Sequence, residues 1–398
     1  MSADLKNLIK KLAKEYLEEI VSIRRHLHEN PELSMQEYKT SDYIAGKLDE
    51  YGIQYKRGIA ETGIVALIKG NEPEAKVVGL RADMDALPII EQNDVPYKSK
   101  NPGVMHACGH DAHTASLLGA ARILQEIRSE LTGSIKLIFQ PSEESYPGGA
   151  IMMINQGVLD NPRVDVMIGQ HVYPLLDAGD TGFRPGKYMA STDEIFLTVK
   201  GRGGHGATPD MNIDPVVIAA HIVLALQNIT SRFAKPVMPT VVSIGKVTAA
   251  GKTNVIPDEV KMEGIVRTFD DKWRERIHQM IHEICESIAS SFGGRCDVMI
   301  DKGYPALVND EVLTHRLRDH AEEFLGKDHV ERLDQRMTAE DFAYYAQRVP
   351  SCFYRLGIRN EKEGITSNLH STTFDIDESS LETGMALMAY LTTKELTP

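Results

Sequence analysis

The order of apolar periodicities along the chain constrains its fold more than any single segment does. Between Glu194 and Asp301 the pattern reads strand, helix, strand, strand, helix, strand. Alternation over Glu194–Lys200 gives way to helical spacing over Asp214–Arg232. Strand patterns at Val241–Val247 and Glu259–Arg267 follow, then a helix at Asp271–Phe292 and a last strand at Cys296–Asp301. This is the split β-α-β-β-α-β order of a compact, ferredoxin-like open-faced sandwich. The flanking sequence alternates differently. Helix Ser41–Tyr51, strands Gly63–Gly70 and Lys76–Leu87, and helix His110–Leu131 precede strand Ser134–Gln140, helix Gly149–Gln156 and strand Val164–His171. That alternation predicts an α/β sandwich around a largely parallel sheet. It resumes after Tyr304 with helices Asp310–Leu325 and Ala339–Gln347, strand Cys352–Gly357 and a final helix from near Glu378. The fold class is therefore α/β in two domains: a discontinuous one over 1–187 and 302–398, and an inserted one over 188–301. A length of 398 residues, too great for one small core, agrees.

Charge narrows the partners. With 44 basic against 57 acidic residues the formal charge is −13, which argues against nucleic acid or an anionic membrane as main partner. The N-terminal stretch through Glu32 has a charged amphipathic helix pattern without the apolar run of a signal peptide. The most apolar later segment, Pro215–Leu226, is interrupted by His221 and reads as too short to span a bilayer. Four cysteines make no disulfide framework, so a cytoplasmic address is expected.

Four short segments place unusual residues where strand ends are expected. Met105–His113 (MHACGHDAH) leads into a helix and sets Cys108 and His110 two apart at its N-terminus, a position that lowers a thiol pKa. The alternative is a buried cysteine beside a helix-start histidine. Gln140–Glu144 (QPSEE) follows an apolar strand with two adjacent carboxylates. One can hold a metal while the other acts as general base, unless both belong to a solvated turn. His171 ends the strand at Val164, and His370 stands in Asn368–Ser371; each alone reads equally as a structural histidine. Together Cys108, His110, Glu144, His171 and His370, with Glu143 beside them, suit a two-metal hydrolytic site beyond strand carboxyl ends. His278, His282 and Glu286, with Cys285 alongside, also have helical metal-site spacing. The amphipathic pattern, with Ile277, Ile281, Ile284 and Ile288 inward, makes them a solvated polar face instead.

Ten segments, from the N-terminal region to the C-terminal one, resemble the amidohydrolase branch of the dizinc aminoacylase and carboxypeptidase superfamily. They are RRHLHENPELS (24–34), RADMDALP (81–88), MHACGHDAHTA (105–115), QPSEE (140–144), GQH (169–171), GRGGHGATP (201–209), NVIPD (254–258), GIVRTFD (264–270), AEDF (339–342) and NLHS (368–371). The branch includes hippurate hydrolases, N-acyl-amino-acid deacetylases, auxin-conjugate hydrolases and an archaeal carboxypeptidase. The resemblance implies a mixed central sheet in the catalytic domain, a lid or dimerisation role for the inserted one, and a homodimer. It implies two divalent ions per subunit (Zn, Mn, Co or Ni), held by the five donors above, with Glu143 as general base. His205 would reach a substrate oxygen across the dimer interface, and Asn254 and Arg267 would lie near a substrate carboxylate. In the wider superfamily a His-x-Asp segment supplies a first ligand; here it reads Arg81-Ala82-Asp83, so Asp83 is assigned to orienting a ligand while Cys108 compensates.

The reaction so implied is hydrolysis of the amide bond of N-acyl-L-amino acids, hippurate-like or N-acetylated. A carboxypeptidase or dipeptidase using the same site is the second reading. A catalytically inactive metal- or ligand-binding protein is the third, and a structural scaffold the fourth. Glu143 argues against the third, because metal binding alone does not need a second carboxylate, and the five matched donors argue against the fourth.

Overall fold

The computed structural model describes residues 3–396; the terminal pairs Met1–Ser2 and Thr397–Pro398, which the sequence assigns to the catalytic domain, lie outside the described residues. The chain divides into two compact units. The first comprises Met1–Gly186, Val308–Asp334 and Asp341–Pro398; the second comprises Lys187–Leu307 and Gln335–Glu340.

The first unit is built on an eight-stranded sheet. Its order is Gln54–Ile59, Gly63–Lys69, Ser134–Gln140, Val77–Asp83, Val166–Asp177, Ser351–Arg359, Thr181–Phe183 and Val330–Arg332. The three pairings among Ser134–Gln140, Val77–Asp83, Val166–Asp177 and Ser351–Arg359 are parallel. The first two pairings of the sheet and that of Thr181–Phe183 with Ser351–Arg359 are antiparallel, and the last, Thr181–Phe183 with Val330–Arg332, is parallel, so the sheet is mixed around a parallel centre. The central strands are buried along their whole length in Val77–Asp83 and Ser134–Gln140, as parallel strands covered on both faces must be. Helices Ala3–Glu29, His110–Glu126 and Ser380–Leu396 pack on one another. Their approach is close: a Cβ at Gly119 would stand 2.7 Å from Met385 Sδ and 3.1 Å from Ile20 Cγ1.

The second unit carries a four-stranded antiparallel sheet in the order Thr240–Ala249, Glu259–Thr268, Asp193–Lys200, Arg295–Lys302. Strict alternation of buried and more exposed residues along Asp193–Lys200 marks one covered face. Ile195, Leu197 and Val199 there share a core with Ile218, Ile222 and Leu226 of one helix and Ile277, Ile281 and Cys285 of the other.

Several expected boundaries move. Strand Lys76–Leu87 ends at Asp83, and strand Val164–His171 runs from Val166 on to Asp177. The predicted helix Ala339–Gln347 shrinks to Ala343–Ala346, because Asp341 is pinned by hydrogen bonds from Arg81, Gln140 and the Ala150 N–H. The apolar helix Pro215–Asn228 continues as a π turn to Phe233; at 19 residues it is long and apolar enough to cross a bilayer, which corrects the reading that it is too short. Its Ile218, Ala219, Ile222, Leu226 and Ile229 are buried in the core of the second unit. On helix Asp271–Ser291, Cys285 belongs to the buried face, whereas Ile284 and Ile288 lie at its margin.

A buried ion pair ties the N-terminal helix to the helix that starts at His110. Arg24, fully buried, donates from Nε to Asp111 Oδ2 at 2.8 Å and from Nη2 to Asp375 Oδ1 at 2.7 Å. Replacing Arg24 with methionine would leave Asp111 buried with His28 as its remaining side-chain partner. Arg24→Met is expected to lower the unfolding free energy by about 3–5 kcal/mol, measured by denaturant titration of both proteins. A loss below about 1 kcal/mol, the worth of an exposed pair, would contradict that role.

Candidate metal centre

Parallel registers bring three strand ends to one level. Asp83 pairs with Gln140, and Arg81 pairs with Gly169, two residues before His171. Residues at and just beyond these ends carry the candidate donors, the usual location for chemistry in open α/β sheets. Cys108 and His110 flank Gly109, whose φ is +81° and whose added Cβ would stand 2.5 Å from Val172 Cγ2. Only glycine allows the turn to come so close to the His171 strand. Glu143 and Glu144 follow Ser134–Gln140 through Ser142, which is also left-handed at φ +53°. The loop carrying His370 is tethered to the same place, since the His370 N–H donates to the Ala107 carbonyl at 2.8 Å.

The structure brings all five expected donors together. Cys108 Sγ lies 3.5 Å from His171 Nε2. Glu144 Oε1 lies 3.9 Å from His110 Nε2 and 3.3 Å from His370 Nε2. Three overlapping groups, Cys108–His110–His171, Cys108–Glu144–His370 and His110–Glu143–Glu144, each hold their ligand atoms within 4.8 Å of one another. Shared corners of this kind suit two adjacent cations better than one. Sulfur, imidazole and carboxylate donors suit a divalent transition metal or zinc, and the set alone does not choose among zinc, manganese, cobalt and nickel.

Neighbouring groups fix the histidine tautomers. His171 Nδ1 donates to the Val172 carbonyl at 2.7 Å, leaving the Nε2 lone pair toward Cys108. His110 Nδ1 lies 3.1 Å from Asp85 Oδ1, and its buried Nε2 has no hydrogen-bond partner. An orphaned nitrogen aimed into a cluster of carboxylates is what a metal ligand looks like without its ion. Asp83 is fully buried, its Oδ1 2.5 Å from His113 Nδ1 and its Oδ2 2.6 Å from Arg81 Nη1. His113 Nε2 accepts the Val172 N–H at 2.8 Å, so its proton sits on Nδ1 and both ring nitrogens are engaged.

The electrostatics of the pocket call for positive charge. Burial, and then the carboxylates of Glu144, Glu143 and Asp83, push the Cys108 thiol well above its usual range. Burial alone would lower His110, yet Asp83, Asp85 and Glu144 raise it to about 10. Burial would likewise raise Asp83, but Arg81, His110 and His113 hold it well below the carboxylate range. Divalent cations would take over the role of those protons, deprotonating the thiol and the imidazole together.

The remaining expected residues lie in the second unit, in two separate places. His205 pairs with Val255, and the Gly206 N–H donates to the Asn254 carbonyl at 2.9 Å, so His205 and Asn254 are neighbours. Both are exposed. The His205 Nδ1 accepts the Ala207 N–H at 3.0 Å, which puts the proton of the neutral ring on Nε2. Arg267, half-buried, stands near the far end of strand Glu259–Thr268. Asp258, just before that strand, accepts from Gly203 and Gly201 beside His205. Eight residues of extended chain separate Arg267 from Glu259, a span of about 26 Å. One chain therefore does not bring Arg267 to His205 and Asn254.

Elsewhere on that unit, His278 Nε2 lies 2.7 Å from Asp193 Oδ2. Among the described residues no potential metal group includes His278, His282 or Glu286. Two further residues contact this cluster without being among the expected ones. Asp85 contacts His110 and also accepts the Glu144 N–H at 3.0 Å; its signal was its place two residues after Asp83. His113 stands one helical turn beyond His110, which was the corresponding signal.

Comparison with known proteins bears on this geometry. Residues 79–394 match the model of peptidase family M20/M25/M40. The chain is 40% identical to thermostable carboxypeptidase 2 of Saccharolobus solfataricus, over 98% of this chain and 99% of that one. It is 40% identical to N-acetyl-L-cysteine deacetylase of Bacillus subtilis, over 91% and 85%. A crystal structure of a Bacillus subtilis protein, described as a dinuclear metal-binding peptidase of the M20 family, superposes with a TM-score of 0.84 at 36% identity, over 96% of this chain and 99% of that one. The chain belongs to peptidase family M20/M25/M40 and is a metal-dependent hydrolase of amide bonds.

Proposed function

We propose that this chain hydrolyses the amide bond of N-acyl-L-amino acids, using two divalent ions per subunit. The observation that carries the reading is the convergence of buried Cys108, His110 and His171 with partly buried Glu144 and exposed His370 beside Glu143. The ions, when bound, polarise the scissile carbonyl and make water a competent nucleophile near neutral pH. Glu143 takes the proton of the attacking water and delivers it to the departing nitrogen as the C–N bond breaks, giving a carboxylate and a free amine. His205, whose Nδ1 is occupied by the Ala207 N–H, donates from Nε2 to the carbonyl oxygen as that atom gains charge, an effect worth about 3 kcal/mol. Arg267 and Asn254 serve the substrate carboxylate, the guanidinium in bidentate fashion. A carboxypeptidase reading with the same site is favoured by the near full-length likeness to the Saccharolobus carboxypeptidase. Both readings place a free carboxylate next to the scissile bond.

The separation of Arg267 from His205 and Asn254 supports a homodimer in which His205 and Asn254 of one chain serve the site of the other. The apolar helix Pro215–Phe233 leaves Val216, Val217, Leu224 and Phe233 exposed, and an isologous contact could cover them.

Glu143→Gln is expected to lower kcat by about 10³-fold or more with metal content unchanged. Rates over a panel of N-acyl amino acids and dipeptides, with product masses, decide between the two substrate classes. A variant that keeps near-normal turnover removes Glu143 from the mechanism. The dimer reading is tested by complementation. Mixing inactive His205→Ala with inactive Glu143→Gln under subunit exchange is expected to restore activity, because each mixed dimer carries one intact site. Verified mixed dimers that stay inactive contradict it.

A further inference from the structure

The N-terminal motif ending at Ser34, and the residues just after it, have no part in the chemistry above, yet they touch the metal centre from below. Leu33 bridges Ala86, and the Ala86 N–H donates to the Glu32 carbonyl at 2.8 Å, so this segment lies along the chain leaving Asp83. Ser34 Oγ donates to Asp85 Oδ2 at 2.6 Å; Asp85 in turn faces His110 Nδ1 and accepts the Glu144 N–H. Three residues on, the carboxylate of Glu37 is fully buried. Its Oε1 accepts the Ser142 N–H at 2.9 Å, and its Oε2 accepts the Thr62 hydroxyl at 2.7 Å.

Ser142 is the residue that needs such a partner. It is buried and left-handed, and it stands directly before Glu143 and Glu144. A residue with a Cβ holds that conformation only where its surroundings enforce it. The Ser142 carbonyl is held by the Gly149 N–H at 2.8 Å, and Glu37 holds its N–H. Without that acceptor the N–H is buried and unsatisfied, and the cheapest relief is for the turn to move.

We propose that Glu37 is a positioning residue for the reaction: by accepting the Ser142 N–H it locks the left-handed turn that sets Glu143 and Glu144 side by side at the metal donors. Ser34, through Asp85, fixes the same turn from the other side. The inference rests on the reading of Glu144 as ligand and Glu143 as base.

The test compares Glu37→Met, which keeps the volume and removes the acceptor, with Glu37→Gln, whose carbonyl oxygen can still accept and whose amide can donate to Thr62. Both are loaded with cobalt(II), and three things are read: the visible cobalt spectrum, kcat and KM on whichever amide the wild type cleaves, and thermal melting of the chelated protein. Glu37→Met is expected to lose about tenfold or more in kcat, the size of one lost buried hydrogen bond. Its KM should change less than about threefold and its cobalt spectrum should alter. Glu37→Gln is expected to stay within about threefold of wild type in kcat, with the wild-type spectrum. A Glu37→Met enzyme with normal kcat and spectrum overturns the proposal, and so does a folded Glu37→Gln that is as slow as Glu37→Met. Should Glu37→Met not fold, Glu37→Gln decides alone by the same limits. The cobalt spectrum needs no substrate, so a wild type inactive on N-acyl amino acids would count against the proposed substrate and leave the Glu37 result readable.

Discussion

Buried negative charge at one level of the larger sheet is the constraint on which the rest of this structure depends. Asp83, Asp85 and Glu143 are almost wholly buried, and Glu144 and the Cys108 sulfur stand among them. So much acid is not kept out of water unless cations compensate it. Arg81, itself fully buried, answers Asp83 and Asp341 from beneath. On the side where Cys108, His110, Glu144, His171 and His370 converge, divalent ions are the compensation that fits the donor chemistry. The parallel strands make this possible by ending together, so that segments distant in sequence meet at one level.

A second level of organisation works through the backbone. The Val172 backbone holds His171 by its carbonyl and His113 by its N–H, and His113 passes that constraint to Asp83. The Glu144 N–H is held by Asp85, and the Ser142 N–H by Glu37. The candidate donor atoms are thus aimed by buried hydrogen-bond partners, an arrangement that metal sites use to set both geometry and tautomer. It also explains two left-handed residues, Ser142 and His370, at the centre: each has its backbone N–H committed to a specific acceptor.

The five candidate donors, which the fold brings together, were legible because their chemistry is rare and their segments fall after recognisable strand or helix patterns. The split β-α-β-β-α-β order was legible for the same reason, since period-two and period-3.6 patterns alternate cleanly across Glu194–Asp301. Glu37 and His113 were not, because their roles lie in hydrogen bonds to backbone groups far away in sequence, and a glutamate at a helix start looks the same whichever peptide it accepts from. Thr181–Phe183 is too short, and the edge strand Gln54–Ile59 too polar, to carry an apolar pattern that can be seen. The helix expected at Ala339 failed because Asp341 answers to Arg81 and Gln140 rather than to local propensity. The distance between Arg267 and His205 was invisible in a set of matched segments, which carries order but no length.

The central claim is that Cys108 and its four companions bind two ions. X-ray absorption at the metal edge, with elemental analysis of the same loaded protein, tests it most directly. The account predicts two ions per chain and a sulfur scatterer at about 2.3 Å if the metal is zinc, with the sulfur contribution absent in Cys108→Ala. A wild-type spectrum fitted by nitrogen and oxygen alone, or a single ion at saturation, would contradict it.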